Sequence, residues 1–154
     1  MKNVFGDDSR RINHALAVLG YAEKINSAQG ADNLVVTAAA ILHDIGIHQA
    51  EKKYNSTAGK YQEIEGPPIA EPILKSCGFA PDKIEHICKI IANHHSAKNI
   101  DTPEFRVIWD ADWLVNIPDE CADMTKERLT GFIEKIFKTS KGKQLAKEIY
   151  LSGE

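Results

Sequence analysis

Apolar residues in this chain return every three or four positions, and no segment alternates with period two. That spacing is the signature of amphipathic helices rather than strands. Ile12, Ala15, Leu16, Leu19 and Ala22 form one stripe, which predicts a helix from a cap at Asp8 or Ser9 to about Ile25. Asp32 is placed to cap a second helix from Leu34 to Ile45, ending near Gly46 and apolar on all sides. A third is expected from Pro67 to Ser76 with Gly78 as its stop. A fourth begins at Pro81 and carries the stripe Ile84, Ile87, Cys88, Ile91 and His95. In "DTPEFRVIWDADWLVNIP", Thr102 caps a fifth helix, Pro103 opens it, and Pro118 stands just beyond its end. Two further helices, near 124–138 and 140–151, close the chain. The expectation is an all-α, single-domain helical bundle over residues 1–154. Its one long connection is "IHQAEKKYNSTAGKYQEIEG", from Ile47 to Gly66, read as a functional lid or a surface excursion.

Composition narrows the functional classes. A formal net charge of -3 carries no signal for binding a polyanion, so no nucleic-acid partner is expected. No apolar run approaches the length of a membrane span, and "MKNVFGDDSRR" has no signal-like core. Cys77, Cys88 and Cys121 are far apart and form no CxxC pair, which argues against a disulfide framework or a thiolate zinc site. A cytoplasmic protein, monomeric or homodimeric, is the resulting expectation.

The chemistry lies in polar residues set among apolar ones. His14 sits on the first helix beside Val18 and Ile25; His43 and Asp44 end the buried second helix; His94 and His95 end the fourth. Asp112 shares its helix with Phe105, Ile108, Trp109 and Val115. A buried carboxylate is costly unless it is paired or bound to a metal. Each residue alone has an ordinary reading: a hydrogen-bonded core histidine, a polar helix end, or a partner for Arg106. Asp110, two residues before Asp112, is an alternative to it. Taken together, four helices delivering such side chains from buried flanks point to a metal site, with donors suited to Mn, Fe, Co, Ni or Zn. His86, in register with Asp82, Lys89 and Asn93, reads as a solvated surface residue.

The ordered set "RRINHALAVLGYAEKI", "ILHDIG" and "VIWDADWLVNI" resembles the HD-domain superfamily of metal-dependent phosphohydrolases, with "EGPPIAEPILKSCGF" and "KIIANHHS" as intervening helices. The resemblance covers about residues 9–117. It implies a helical bundle in which His14, His43, Asp44 and Asp112 hold one divalent metal, with Mg also admissible. Asp112 is preferred to Asp110 because "ADWL" matches the family's pattern. Members with two metals carry further histidines, but none occurs here between His48 and His86. That place holds Gln62, with Glu63 and Glu65 nearby. One metal is therefore expected, with His94 and His95 contacting phosphate or supporting the site.

The implied reaction is hydrolysis of a small phosphate ester, with a nucleotide the expected substrate. Asp44 would orient the attacking water, His94 or His95 would act on the developing charge or leaving oxygen, and Arg11 would contact phosphate. Lys52, Lys53 and Lys60 would close over the phosphates or stay solvated. Trp109 and Trp113, four apart, can stack on a base or pack in the core. No GYP-type tripeptide follows the HD pair, which argues against a cyclic-dinucleotide role. Two alternatives stand beside this reading: a di-iron oxygenase of the same superfamily, and a non-catalytic helical binding or sensing module.

Overall fold

A computed structural model describes residues 5–152; residues 1–4 and 153–154, the ends of the expected 1–154 domain, lie outside the described residues. From Ser9 onward the chain is a succession of helices, with no strand among the described residues: α1 (Ser9–Gln29), α2 (Asn33–Leu42), α3 (Ile47–Tyr54), α4 (Gly59–Ser76), α5 (Pro81–Ile91), α6 (Pro103–Glu120), α7 (Lys126–Ile136) and α8 (Ser140–Tyr150). No helix is long and apolar enough to cross a membrane.

The capping chemistry is local. Asp8 accepts from the Arg11 amide at the start of α1, and Asp32 accepts from the Leu34 and Val35 amides at the start of α2. Thr102, Thr125 and Thr139 do the same for α6, α7 and α8. In each case a side-chain oxygen satisfies a backbone donor that has no partner within its helix.

Helix α2 is the centre of the bundle. Val35, Val36, Ala38, Ala39, Ala40 and Leu42 are all buried, and α1, α5 and α6 pack around it. The run of alanines keeps the helix thin, so three neighbours approach it at once. Helix α1 also lies along α6, α4 lies between α3 and α5, and α8 joins α6 to α7. The candidate site residues are consequently displayed from elements that all touch α2 or its continuation.

Three expectations are corrected. The long connection is not structureless: α3 occupies Ile47–Tyr54 and α4 begins at Gly59, well before Pro67. Pro67, Pro68 and Pro72 lie inside α4, and Pro118 lies inside α6, which runs on to Glu120. Proline forfeits one amide donor and crowds the preceding turn, but the flanking turns of both helices are anchored by buried residues, among them Gln62, Glu65, Ala70 and Leu74 in α4. Lastly, α2 stops at Leu42, so His43 and Asp44 stand in the tight turn between α2 and α3.

Candidate metal centre

The turn after α2 is closed by short-range bonds, Ile45 N to Leu42 O at 3.0 Å and Ile47 N to Asp44 O at 3.0 Å. It can be this tight because α4 crosses it at backbone distance. A Cβ on Gly46 would come within 2.6 Å of Gly66 N and 2.7 Å of Gln62 O. The φ of Gly46 is an ordinary -77°, so space rather than conformation requires glycine here. The turn directs both His43 and Asp44 toward α1 and α6.

Four side-chain atoms converge there. His14 Nε2 from α1 is 3.1 Å from Asp112 Oδ1 of α6, 3.3 Å from His43 Nε2 and 3.4 Å from Asp44 Oδ2. His43 Nε2 lies 3.5 Å from both Asp44 Oδ2 and Asp112 Oδ1. Ligand atoms held about 2.1 Å from one ion in tetrahedral or octahedral arrangement are about 3.0–3.4 Å apart. The observed separations match that spacing.

The histidine tautomers agree. His43 Nδ1 is 2.8 Å from the Ala40 carbonyl, and His94 Nδ1 is 2.7 Å from the Ile91 carbonyl. Only N–H can meet a carbonyl, so each neutral ring donates from Nδ1 and presents a lone pair at Nε2. Both bonds also satisfy a carbonyl left unpaired at a helix C-terminus. His94 Nε2 is buried and meets no hydrogen-bond partner, and it stands 3.4 Å from Asp44 Oδ1. An orphaned buried lone pair facing a carboxylate oxygen is the arrangement that a cation resolves.

The donors form two groups, each able to hold a metal ion: His14, His43 and Asp112, and Asp44, His94 and His95. Asp44 turns Oδ2 to the first group and Oδ1 to His94. The His94–His95 turn is held by Glu63 of α4, whose Oε1 accepts from the backbone amides of His95 at 3.0 Å and Ser96 at 2.8 Å. Gln62 Oε1 lies 3.2 Å from His95 Nε2. Glu65 points its charge elsewhere, bonding Lys53 and Tyr54.

Burial alone would raise the Asp44 and Asp112 carboxyls. The facing histidines, His43 beside Asp44 and His14 beside Asp112, more than offset it and hold both carboxyls well below the usual range. Burial likewise opposes charge on His43, yet Asp44 and Asp112 push its pKa up to about 9. A proton on His43 and a cation among the four donors answer the same excess of negative charge. His95 is shifted the other way, to about 4, by desolvation and by the neighbouring His94.

A cavity of about 570 Å³ opens over the cluster, lined by His14, Asp44, His95 and Asp112 together with Arg10, Arg11 and Asn116, among others. Arg11 is therefore at the site, with its Nε 3.8 Å from Asp8. Lys52, Lys53 and Lys60 are not among the lining residues: Lys53 pairs with Glu65 at 2.8 Å, Lys60 sits over the Tyr61 ring, and Lys52 is exposed near the end of α3. Ile47, Thr57 and Gln62 are what the former connection contributes to the cavity. Asp110 is remote from the cluster and fully buried, accepting from the amides of Lys138 and Thr139 and from the Thr139 hydroxyl. Arg106 pairs with Asp101, not Asp112. His86 is not a free surface residue, because its Nε2 is 2.8 Å from Thr102 Oγ1, tying α5 to the start of α6. Asn116 escaped the sequence reading: its Nδ2 donates to Asp112 Oδ1 at 2.9 Å. Its position four residues after Asp112, one turn along the same face, was the available signal.

Comparison with known proteins agrees with this architecture. The family model described as "HD domain" matches residues 11–117. Among solved structures, the chain resembles the crystal structure of a predicted HD superfamily hydrolase from an uncultured Thermotogales bacterium, with a TM-score of 0.72 and 24% identity over 97% of this chain and 80% of that one. That likeness is one of fold. No curated protein matches. The family match spans His14, the His43–Asp44 turn, the His94–His95 turn and Asp112, and the chain belongs to the HD-domain family, whose members are generally metal-dependent hydrolases.

Proposed function

We propose that this protein is a metal-dependent phosphohydrolase acting on a nucleotide or another small phosphate ester. The observation that carries the reading is the convergence of His14 Nε2, His43 Nε2, Asp44 Oδ2 and Asp112 Oδ1 within 3.1–3.5 Å at a cavity that also includes Arg10 and Arg11. These four residues are the proposed ligands, for Mn, Fe, Co, Ni, Zn or Mg. When bound, a divalent cation acts as a Lewis acid toward phosphoryl oxygens and acidifies coordinated water.

The chain's own groups divide the remaining tasks. Asp44 has one oxygen toward each donor group, which suits it to orient a water between them. Arg11, on the turn before His14, supplies a fixed positive charge and N–H donors to phosphate. Asn116 keeps one N–H on Asp112 and so fixes the carboxylate's orientation. His94 is better suited to a cation than to phosphate: its Nδ1–H is committed to Ile91, and its Nε2 looks onto an Asp44 carboxylate oxygen, the place of a cation rather than an anion. We therefore assign Asp44, His94 and His95 to a second ion, in place of the single-ion expectation. The proposed substrate is small, since the cavity is of small-molecule size.

The test is phosphate release from a panel of sugar phosphates and nucleoside monophosphates with Mn, Co or Mg added. Turnover that falls to background in Asp44→Ala, with the variant still folded, supports the reading. Turnover that Asp44→Ala leaves intact contradicts it. The second donor group also favours the di-iron oxygenase alternative. Two irons per chain with an iron-dependent optical band, and no phosphate release, would select it.

A further inference from the structure

A smaller hollow of about 180 Å³ adjoins the metal-centre cavity. Trp109 and Trp113 line it, and it shares His95, Asp112, Asn116 and Glu120 with the larger cavity. Positions 109, 113, 116 and 120 follow one another at helical spacing, so a single face of α6 runs from two indoles to two polar groups. Of the indoles, Trp109 is nearly buried and its N–H is spent on the Ile136 carbonyl at 3.0 Å. Trp113 is half-buried and held edge-on by Phe132, with ring centroids 5.1 Å apart. It is therefore a fixed aromatic surface beside the site.

The polar end of this face has a definite sense. Asn116 bonds a carboxylate, so its NH₂ must be the group facing Asp112 and its Oδ1 is left as an acceptor. No donor among the described residues meets that oxygen. Glu120 is exposed, and neither a hydrogen bond nor an ion pair engages its carboxylate among the described residues. The last turns of α6 thus offer an aromatic wall and a pair of acceptors. A planar ring that donates N–H from its edge satisfies both.

We propose that this hollow is a subsite for a nucleobase carrying an exocyclic amino group, with Trp113 as the stacking surface and Asn116 and Glu120 as acceptors. The proposal rests on the phosphohydrolase reading for what lies at the other end of the ligand, a phosphate at the metal centre. Stacking on an aromatic side chain is tolerant of ring identity. The acceptor pair is what selects a base with an amino group, adenine, cytosine or guanine, over hypoxanthine or uracil, whose one ring N–H stands beside a carbonyl that two acceptors repel.

The experiment uses the full chain and separates the two readings. Adenosine, inosine and ribose, none of which can be a phosphatase substrate, are titrated and followed by tryptophan fluorescence and calorimetry. Adenosine is expected to bind saturably, about fivefold tighter than inosine, and ribose not at all. Glu120→Ala, at an exposed helix end where folding is not at stake, should shrink the difference between adenosine and inosine to about twofold, the part that Asn116 still supplies. Trp113→Leu should weaken both nucleosides about tenfold. Equal binding of adenosine and inosine, or none, overturns the subsite. So does a preference for O-phosphoethanolamine over adenosine 5′-monophosphate, which would mean a site for an alkyl ammonium. Failure of every phosphate ester to turn over while adenosine still binds would sink the phosphohydrolase reading alone. Equal kcat/KM for ribose 5-phosphate and adenosine 5′-monophosphate, without nucleoside binding, would sink the subsite alone.

Discussion

Two aspartates one turn-half apart on α6 show how much a single position decides. Asp112 meets His14 and Asn116 at the cluster, while Asp110 is turned into the packing beneath α8. Three donors converge on Asp110: the amides of Lys138 and Thr139 and the Thr139 hydroxyl. A Cβ on Gly142 would collide with its carboxylate, so the helix that it anchors is seated directly upon it. Asp110→Ala leaves those buried donors unmet and is expected to cost about 3–5 kcal/mol of stability by chemical denaturation, with metal content per folded chain unchanged. Asp112→Ala should show the reverse emphasis, losing metal more than stability. If Asp110→Ala strips the metal while Asp112→Ala retains it, the roles assigned here are exchanged.

At the scale of elements, much of the bundle was legible because helix ends advertise themselves chemically. Asp8, Asp32 and Thr102 cap the helices they were expected to cap, and Pro81 and Pro103 open theirs. Pro67 misled for the same reason. Proline is favoured at a first turn, so "EGPP" read as a beginning, whereas it lies midway along α4. What the pattern cannot convey is tertiary support: α4 is held at its N-terminal half by Glu63 reaching the His95 and Ser96 amides and by contact with the turn at Gly46. His94 and His95 were expected at the site, but that they form one donor group with Asp44 was not legible, since they become its neighbours only after α4 and α5 have folded back together. The Gly46 crossing gives the sharpest element-scale test. Gly46→Ala forces a methyl into backbone atoms of α4 that cannot swing aside, and should destabilise the protein by about 1–3 kcal/mol. A loss confined to a few tenths would show that α4 is not seated against this turn.

At the scale of the whole molecule, the fold solves one problem repeatedly: it brings donors from α1, the α2–α3 turn, the turn after α5, and α6 to one buried spot around α2. That spot gathers two carboxylates and the Nε2 atoms of His14, His43 and His94, an arrangement no packing argument would favour. Much of the stability of these junctions should therefore be linked to ion binding, through affinity for the folded chain alone. The most direct measurement is metal content per chain by mass spectrometry, on the purified protein and on Asp44→Ala and His94→Ala. The expectation is up to two transition-metal ions in the native chain, near-complete loss in Asp44→Ala because both donor groups share that residue, and retention of one ion in His94→Ala. A native chain that neither carries metal nor takes it up on titration, or an Asp44→Ala variant that binds as the native chain does, would contradict it.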